Sequence, residues 1–194
     1  MGLTHSVATN HAIAQFAKQG TPSLLDWHRV KSVSTVQCRL LEYEAAGQCM
    51  DFNQLLEEQH KSGLLAQHMQ AMGEPRPHKE CHCHAIISGA HPKAAAQRAI
   101  MAWVKMRVDF PANGSWLPRN TAAKKVMPSN LKRAVPHSRI HRNNYYDWLD
   151  TLINTNTITS ADDGKALKDI LRTIRTKLET STFPSSVMKP AGQK

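Results

Sequence analysis

No apolar run in the chain approaches the roughly 20 residues that a membrane span needs, which excludes an ordinary transmembrane helix. Met1 to Gln19 contain no apolar core of about 7–15 residues, so no cleavable secretory signal is expected there. No basic amphipathic helix stands out, which makes a membrane surface a poor partner. There is no internal repeat. Acid is scarce: 15 Asp and Glu face 25 Lys and Arg, a net charge of +10 with neutral histidines. The pI is about 9.7. Such a balance attracts polyanions, because freeing the counterions condensed on nucleic acid drives binding. Plain solubility is the bland reading of the same charge.

Cysteine is scarce as well. Cys38, Cys49, Cys81 and Cys83 match no common zinc spacing, and bridging Cys81 to Cys83 would close a very tight loop. All four read as reduced. A structural zinc held by these cysteines with His82 stays open as an alternative.

With 194 residues, 41% of them apolar, the chain makes one ordinary domain or one domain with appendages. A helix is expected from about Ser6 to Lys18, stopped by Gly20-Thr21-Pro22. Ser23 should cap a short helix through Trp27. Apolar residues from Val33 to Met69 recur at helical spacing and predict two or three helices over 32–72, with Gly47 and Gly63 as breaks. Pro75 and Pro77 mark an extended boundary. A strand over 78–87 follows, then a turn at Ser88–Pro92, and a helix from Lys93 to about Met106 with Pro92 in its first turn. Pro111-Ala112-Asn113-Gly114 is a turn signal, and Ser115-Trp116-Leu117 is long enough to pair as a second strand. Arg119 to Arg133 is basic, without an acid, and reads as a solvated loop able to meet phosphate. A helix carrying His137 and His141 should run on through Leu149. A last helix over 160–180 should start at Ser160, with Asp162 and Asp163 in its first turn. From Phe183 the tail reads as disordered. These readings give three parts: a helical region at 1–77, a core at 78–153, and a C-terminal helix with a flexible tail at 154–194.

The chemistry gathers around Glu80-Cys81-His82-Cys83-His84-Ala85-Ile86-Ile87 and Pro136-His137-Ser138-Arg139-Ile140-His141. Residues four apart on a helix share a face, so His137 and His141 stack. With a histidine from the strand they would make a three-ligand site with open positions. Three imidazoles suit zinc, nickel or manganese and leave magnesium possible. Alone, such a helical pair is more often a surface accident. Tyr145, Tyr146 and Trp148 read as core more readily than as a base-stacking platform.

Three motifs in order resemble the AHH nucleases of the HNH/endonuclease VII-like superfamily, which have a ββα-metal core. They are His84-Ala85-Ile86-Ile87-Ser88-Gly89-Ala90-His91-Pro92-Lys93-Ala94, Asn113-Gly114-Ser115-Trp116-Leu117-Pro118-Arg119-Asn120, and His137-Ser138-Arg139-Ile140-His141 before Tyr145-Tyr146. The resemblance covers roughly 78–153. It implies a mainly α fold with a small β-hairpin, the ββα-metal core following a helical N-terminal region. It implies an endonuclease cutting DNA (RNA is possible), with one divalent ion, Mg, Mn, Zn or Ni, on His84, His137 and His141. Asn113 matches the residue that braces the loop. Arg119, Lys124, Lys125, Arg139 and Arg142 are the expected phosphate contacts. An antibacterial toxin is the implied setting, with an immunity protein, a secretion-system carrier and action in the cytoplasm of a target bacterium.

One position departs from the pattern. The family motif has paired histidines, the first a metal ligand and the second the general base, and this chain has Ala85 second. An alanine takes no proton, and a general base is typically worth about 10²–10⁴ in rate. The chain as it stands should therefore be impaired, and Ala85→His should restore cutting. Ala85 reads as a deliberate substitution or as the mark of a natural pseudoenzyme. A slipped register, with His84 as base and Cys83 or His82 on the metal, is the remaining account. The alternative of another class is a basic nucleic-acid-binding or structural-zinc module without catalysis.

Overall fold

Ser23 starts the longest helix. Its hydroxyl accepts from Asp26 N at 3.2 Å, and Asp26 Oδ2 accepts from Ser23 N at 3.0 Å. This reciprocal cap satisfies two donors that a helix start otherwise leaves open. In this computed structural model, which describes residues 7–189, the helix is α2, Leu24–Cys49, preceded by α1, Val7–Ala17. Ser6, the expected start of the first helix, lies outside the described residues. α2 is one 26-residue helix rather than a short helix followed by others. Gly47 does not break it, because a Cβ there would stand 2.8 Å from Arg107 Cγ and the missing methyl lets that side chain cross. α3, Phe52–Leu56, and α4, Ser62–Ala71, follow. Gly63 lies in the first turn of α4, where backbone donors are free anyway.

The strands β1, Cys81–Ala85, and β2, Gly114–Pro118, pair antiparallel, with His84 opposite Ser115 and Ala85 opposite Gly114. The fold is mainly α with this small sheet. β1 alternates strictly. Cys81 and Cys83 turn one way, their sulfurs 3.5 Å from Met127 Sδ and 3.6 Å from Met69 Sδ. His82 and His84 turn the other way, their ring centroids each 5.3 Å from that of His137. The four cysteines are free, and Cys81 and Cys83 face methionines rather than His82, so they do not assemble the structural-zinc alternative.

Between the strands, Pro92–Ala94 form a tight turn of helix leading into α5, Ala95–Trp103. After β2, the basic stretch folds into short turns at Ala122–Val126 and Ser129–Leu131. His137–Ile140 make a single turn, α6, and Asn143–Leu152 make α7. The expected continuous helix is broken because His141 has ψ 62° and Arg142 is extended. The chain that follows α8, Gly164–Thr180, holds the break open. Arg142 donates to Met188 O at 2.9 Å and Asn144 to Ser186 O at 2.8 Å. The segment from Phe183 is therefore packed as far as it is described, with Val187 buried and the Phe183 ring 5.7 Å from that of Trp148.

Ser160 does not cap α8. Asp163 occupies the cap position and spends its carboxylate on Thr159 N and Ser160 N, at 2.7 and 2.9 Å. α8 buries Leu167, Leu171, Ile174 and Leu178, spaced four, three and four apart as one helical stripe requires. No helix among the described residues is long and apolar enough to cross a membrane.

Candidate metal centre

β1 ends beside α6 because Asn113 stitches the strand's exit to the loop before β2. Its side chain accepts from Ile87 N at 2.7 Å and donates to Ile87 O and Val108 O at 3.0 and 2.9 Å. Asn113 is fully buried, so each of these bonds satisfies a group that water cannot reach. His84 is thereby held at the strand end, opposite the turn that carries His137 and His141.

These three histidines offer ligand atoms that all lie within 4.8 Å of one another, the one such group of His, Cys, Asp or Glu among the described residues. His137 Nε2 and His141 Nε2 are 3.3 Å apart. His84 Nδ1 is buried with no hydrogen-bond partner. An orphaned lone pair of this kind is costly to bury, and a cation between the three rings would remove the cost. Burial pushes all three imidazoles below the ordinary histidine range, His137 to about 4 and the fully buried His84 well below it. For His84, His141 and then His137 add to this, for His137 it is His141 and then His82, and for His141 it is His91 and then His60. At neutral pH each ring keeps the lone pair a metal needs. The donor set fits a divalent ion.

Each ring is also held from behind. Tyr145 Oη donates to Ile86 O at 2.8 Å, so it accepts from His84 Nε2, 3.3 Å away. That leaves Nδ1 of His84 as the free acceptor. Tyr146 Oη lies 3.2 Å from His141 Nδ1. His137 Nδ1 stands 3.4 Å from His82 Nδ1. Such outer partners fix the tautomer and aim the ligand atom. Both tyrosines are buried core, as expected, and hold the ligands as well. Their position four and five residues after His141 was the only sign of this in the sequence. His82 supports the site, and Cys83 points away from it. The slipped register is not what the fold assembles.

Ala85 lies on the other side of the sheet. It faces the same way as Gly114, where a Cβ would stand 2.4 Å from Met69 Sδ and 3.2 Å from Leu65 Cδ1. Of the expected phosphate contacts, Lys125 and Arg139 are exposed and Lys124 is half-buried. Arg119 pairs with Glu80 at 2.8 Å, and Arg142 is committed to Met188 O.

Antiparallel strands, a helical turn and three converging imidazoles define a class of compact metal-site folds. A family described as a nuclease family of the HNH/ENDO VII superfamily with conserved AHH matches residues 65–178. The match takes in more than half of the chain, and the chain belongs to that nuclease family. It extends past the three motifs on both sides, into α4 and through most of α8. No curated protein and no solved structure matches the chain.

Proposed function

We propose that this protein is a metal-dependent endonuclease that hydrolyses phosphodiester bonds in DNA. The observation that carries the reading is the orphaned Nδ1 of His84, aimed at two further neutral imidazoles. A divalent ion held there would bind the scissile phosphate and stabilise charge on the departing oxygen. The chain's own residues do the rest. Tyr145, Tyr146 and His82 keep the ligand rings in register, and Asn113 keeps the loop after β1 in place. Exposed Arg139 and Lys125 offer cations to the backbone of the substrate.

The biological setting is an antibacterial toxin, released through a secretion-system carrier, acting in the cytoplasm of a target bacterium and restrained by an immunity protein. The support is membership of a nuclease family together with the net charge of +10. Position 85 carries an alanine where the family motif has a histidine, so cleavage by this chain is slower than that of a member with the full motif.

The test is calorimetric titration of the protein with Mn²⁺, Zn²⁺, Ni²⁺ and Mg²⁺, beside plasmid nicking. One bound ion and metal-dependent nicking are expected. His137→Ala/His141→Ala should lose both. Unchanged stoichiometry in that variant removes the site, and cleavage of RNA but not DNA changes the substrate.

A further inference from the structure

Ala85 gives the reaction no proton acceptor, and the histidines beside the site differ in what they can do. His91 Nδ1 accepts from Lys93 N at 3.2 Å, which puts its hydrogen on Nε2. With His137 Nε2 turned to His141, Nδ1 of His137 donates to His82 Nδ1, and His82 likewise carries its hydrogen on Nε2. Neither ring has a free lone pair. His60 is wired the opposite way. Its Nδ1 lies 2.5 Å from Asp109 Oδ1, and a carboxylate only accepts. The hydrogen is therefore on Nδ1, and Nε2 of His60 is an acceptor with no partner among the described residues.

Asp109 is built to hold that ring. It is 1% exposed. Its second oxygen accepts from Lys61 N at 2.9 Å, its carbonyl from His68 Nδ1 at 2.8 Å, and its N–H donates to Tyr43 Oη at 3.1 Å. Arg107, ion-paired with Glu58, lies 3.6 Å over the Tyr43 ring and ties α2 to the same loop. His60 also borders the loop that leads away from β1. His60 packs directly on Gly89, where a Cβ would meet His60 Cβ at 2.4 Å. Two residues further on, the His91 ring stacks on that of Tyr146 at 4.1 Å, and Tyr146 holds His141. His60 is near enough for its charge to act on both His84 and His141, and its side chain is 23% exposed, so water reaches it. His60 precedes the part of the chain that matches the nuclease family.

We propose that His60 is the general base of this nuclease and that Asp109 is its positioning residue, an arrangement that rests on the metal-nuclease reading above. Water oxygen forms a bond to phosphorus as its proton passes to Nε2 of His60. The bond from phosphorus to the leaving oxygen breaks, and that oxygen takes a proton from solvent. His60 then releases its proton to solvent, so one water is consumed and a phosphomonoester and an alcohol are formed. Asp109 keeps the ring in the accepting tautomer, as a carboxylate does for a catalytic histidine elsewhere.

The experiment measures kcat and KM of the full chain, loaded with Mn²⁺, on a duplex oligonucleotide. His60→Gln and His60→Gly should lower kcat by about 10² or more, the usual worth of a general base, with KM and calorimetric Mn²⁺ affinity unchanged. Added imidazole should restore part of the activity of His60→Gly and none of that of His137→Ala. Asp109→Asn should lower kcat without raising KM. Gly89→Ala, which displaces His60 without altering any titratable group, should do the same. Nitrogen-15 shifts of the intact protein should show His60 protonated at Nδ1 only. Full activity in both His60 variants while His137→Ala is dead would overturn the dyad and leave the nuclease reading standing. A metal-loaded wild type that cuts neither DNA nor RNA also overturns it. Wild-type cutting by His137→Ala refutes the three-histidine metal site on which the dyad rests.

Discussion

Tyr145 takes the Nε2 hydrogen of His84 and passes its own to Ile86 O, so the backbone just past β1 sets the direction in which a β1 histidine points. Tyr145→Phe keeps the ring and removes only this relay. Loss of an outer partner of a metal ligand typically lowers metal affinity about 10- to 100-fold. That fall is expected in calorimetry with Mn²⁺ or Zn²⁺, with the far-ultraviolet spectrum unchanged. Equal affinity in the two proteins would mean that packing alone aims His84.

Ala85→His was expected from the sequence to restore cutting, and the packing sets a condition on it. The face that Ala85 shares with Gly114 is filled by Met69 and Leu65 of α4. An imidazole there overpacks a closed core, typically at a cost of about 1–3 kcal/mol. Ala85→His should melt several degrees below wild type, and Met69→Ala added to it should recover part of the loss. A single variant as stable as wild type would show that the ring finds room without moving Met69.

Periodic features were legible and long-range ones were not. The run Ser115-Trp116-Leu117 announced a strand and the stripe of α8 its buried face, while the strand expected over 78–87 is only Cys81–Ala85 and Ile86-Ile87 lie in the bend beyond it. His84, His137, His141 and Asn113 were legible from spacing and from the motifs they sit in. Gly47 misled because a glycine tolerated for a neighbour's approach looks the same in sequence as one that ends a helix. The break at His141 is set by carbonyls of Ser186 and Met188, some forty residues away, and leaves no local mark. The pairing of His60 with Asp109 spans 49 residues and joins two segments that read as unremarkable on their own.

Duplex binding should weaken steeply with salt, because each neutralised phosphate contributes about −0.9 to the slope of log affinity against log salt. Lys124 and Lys125 lie on a short helical turn with no acid beside them in sequence. Lys124→Ala/Lys125→Ala should flatten the slope by about 1–2, as read by fluorescence anisotropy at several salt concentrations. Arg119→Ala should change it less, since that guanidinium already pairs with Glu80. Identical slopes for wild type and the double lysine variant would make those lysines solvated surface only.

Glu179 gives the fold a pH dependence whose sign is fixed by its surroundings. The carboxyl is drawn in between α8 and β2, where burial raises its pKa above the ordinary glutamate value. Arg175 opposes that shift, Glu74 adds to it, and the Ser115 hydroxyl, 3.4 Å away, opposes it weakly. A raised carboxyl pKa means that the folded chain holds this proton more tightly than the unfolded chain does. Above the unfolded value, about 4.3 for glutamate, ionisation therefore favours the unfolded state, and the penalty reaches its full size above the folded pKa. Below the unfolded value both states are protonated and the penalty disappears. A glutamine at this position would keep an acceptor for Ser115 and carry no charge. Glu179→Gln should accordingly raise the melting temperature at pH 7, with the gain shrinking as the pH approaches 4. Melting curves of both proteins at pH 4, 5, 6 and 7 read this directly. A variant less stable than wild type at pH 7 would mean that attraction to Arg175 outweighs burial and that the carboxylate supports the fold.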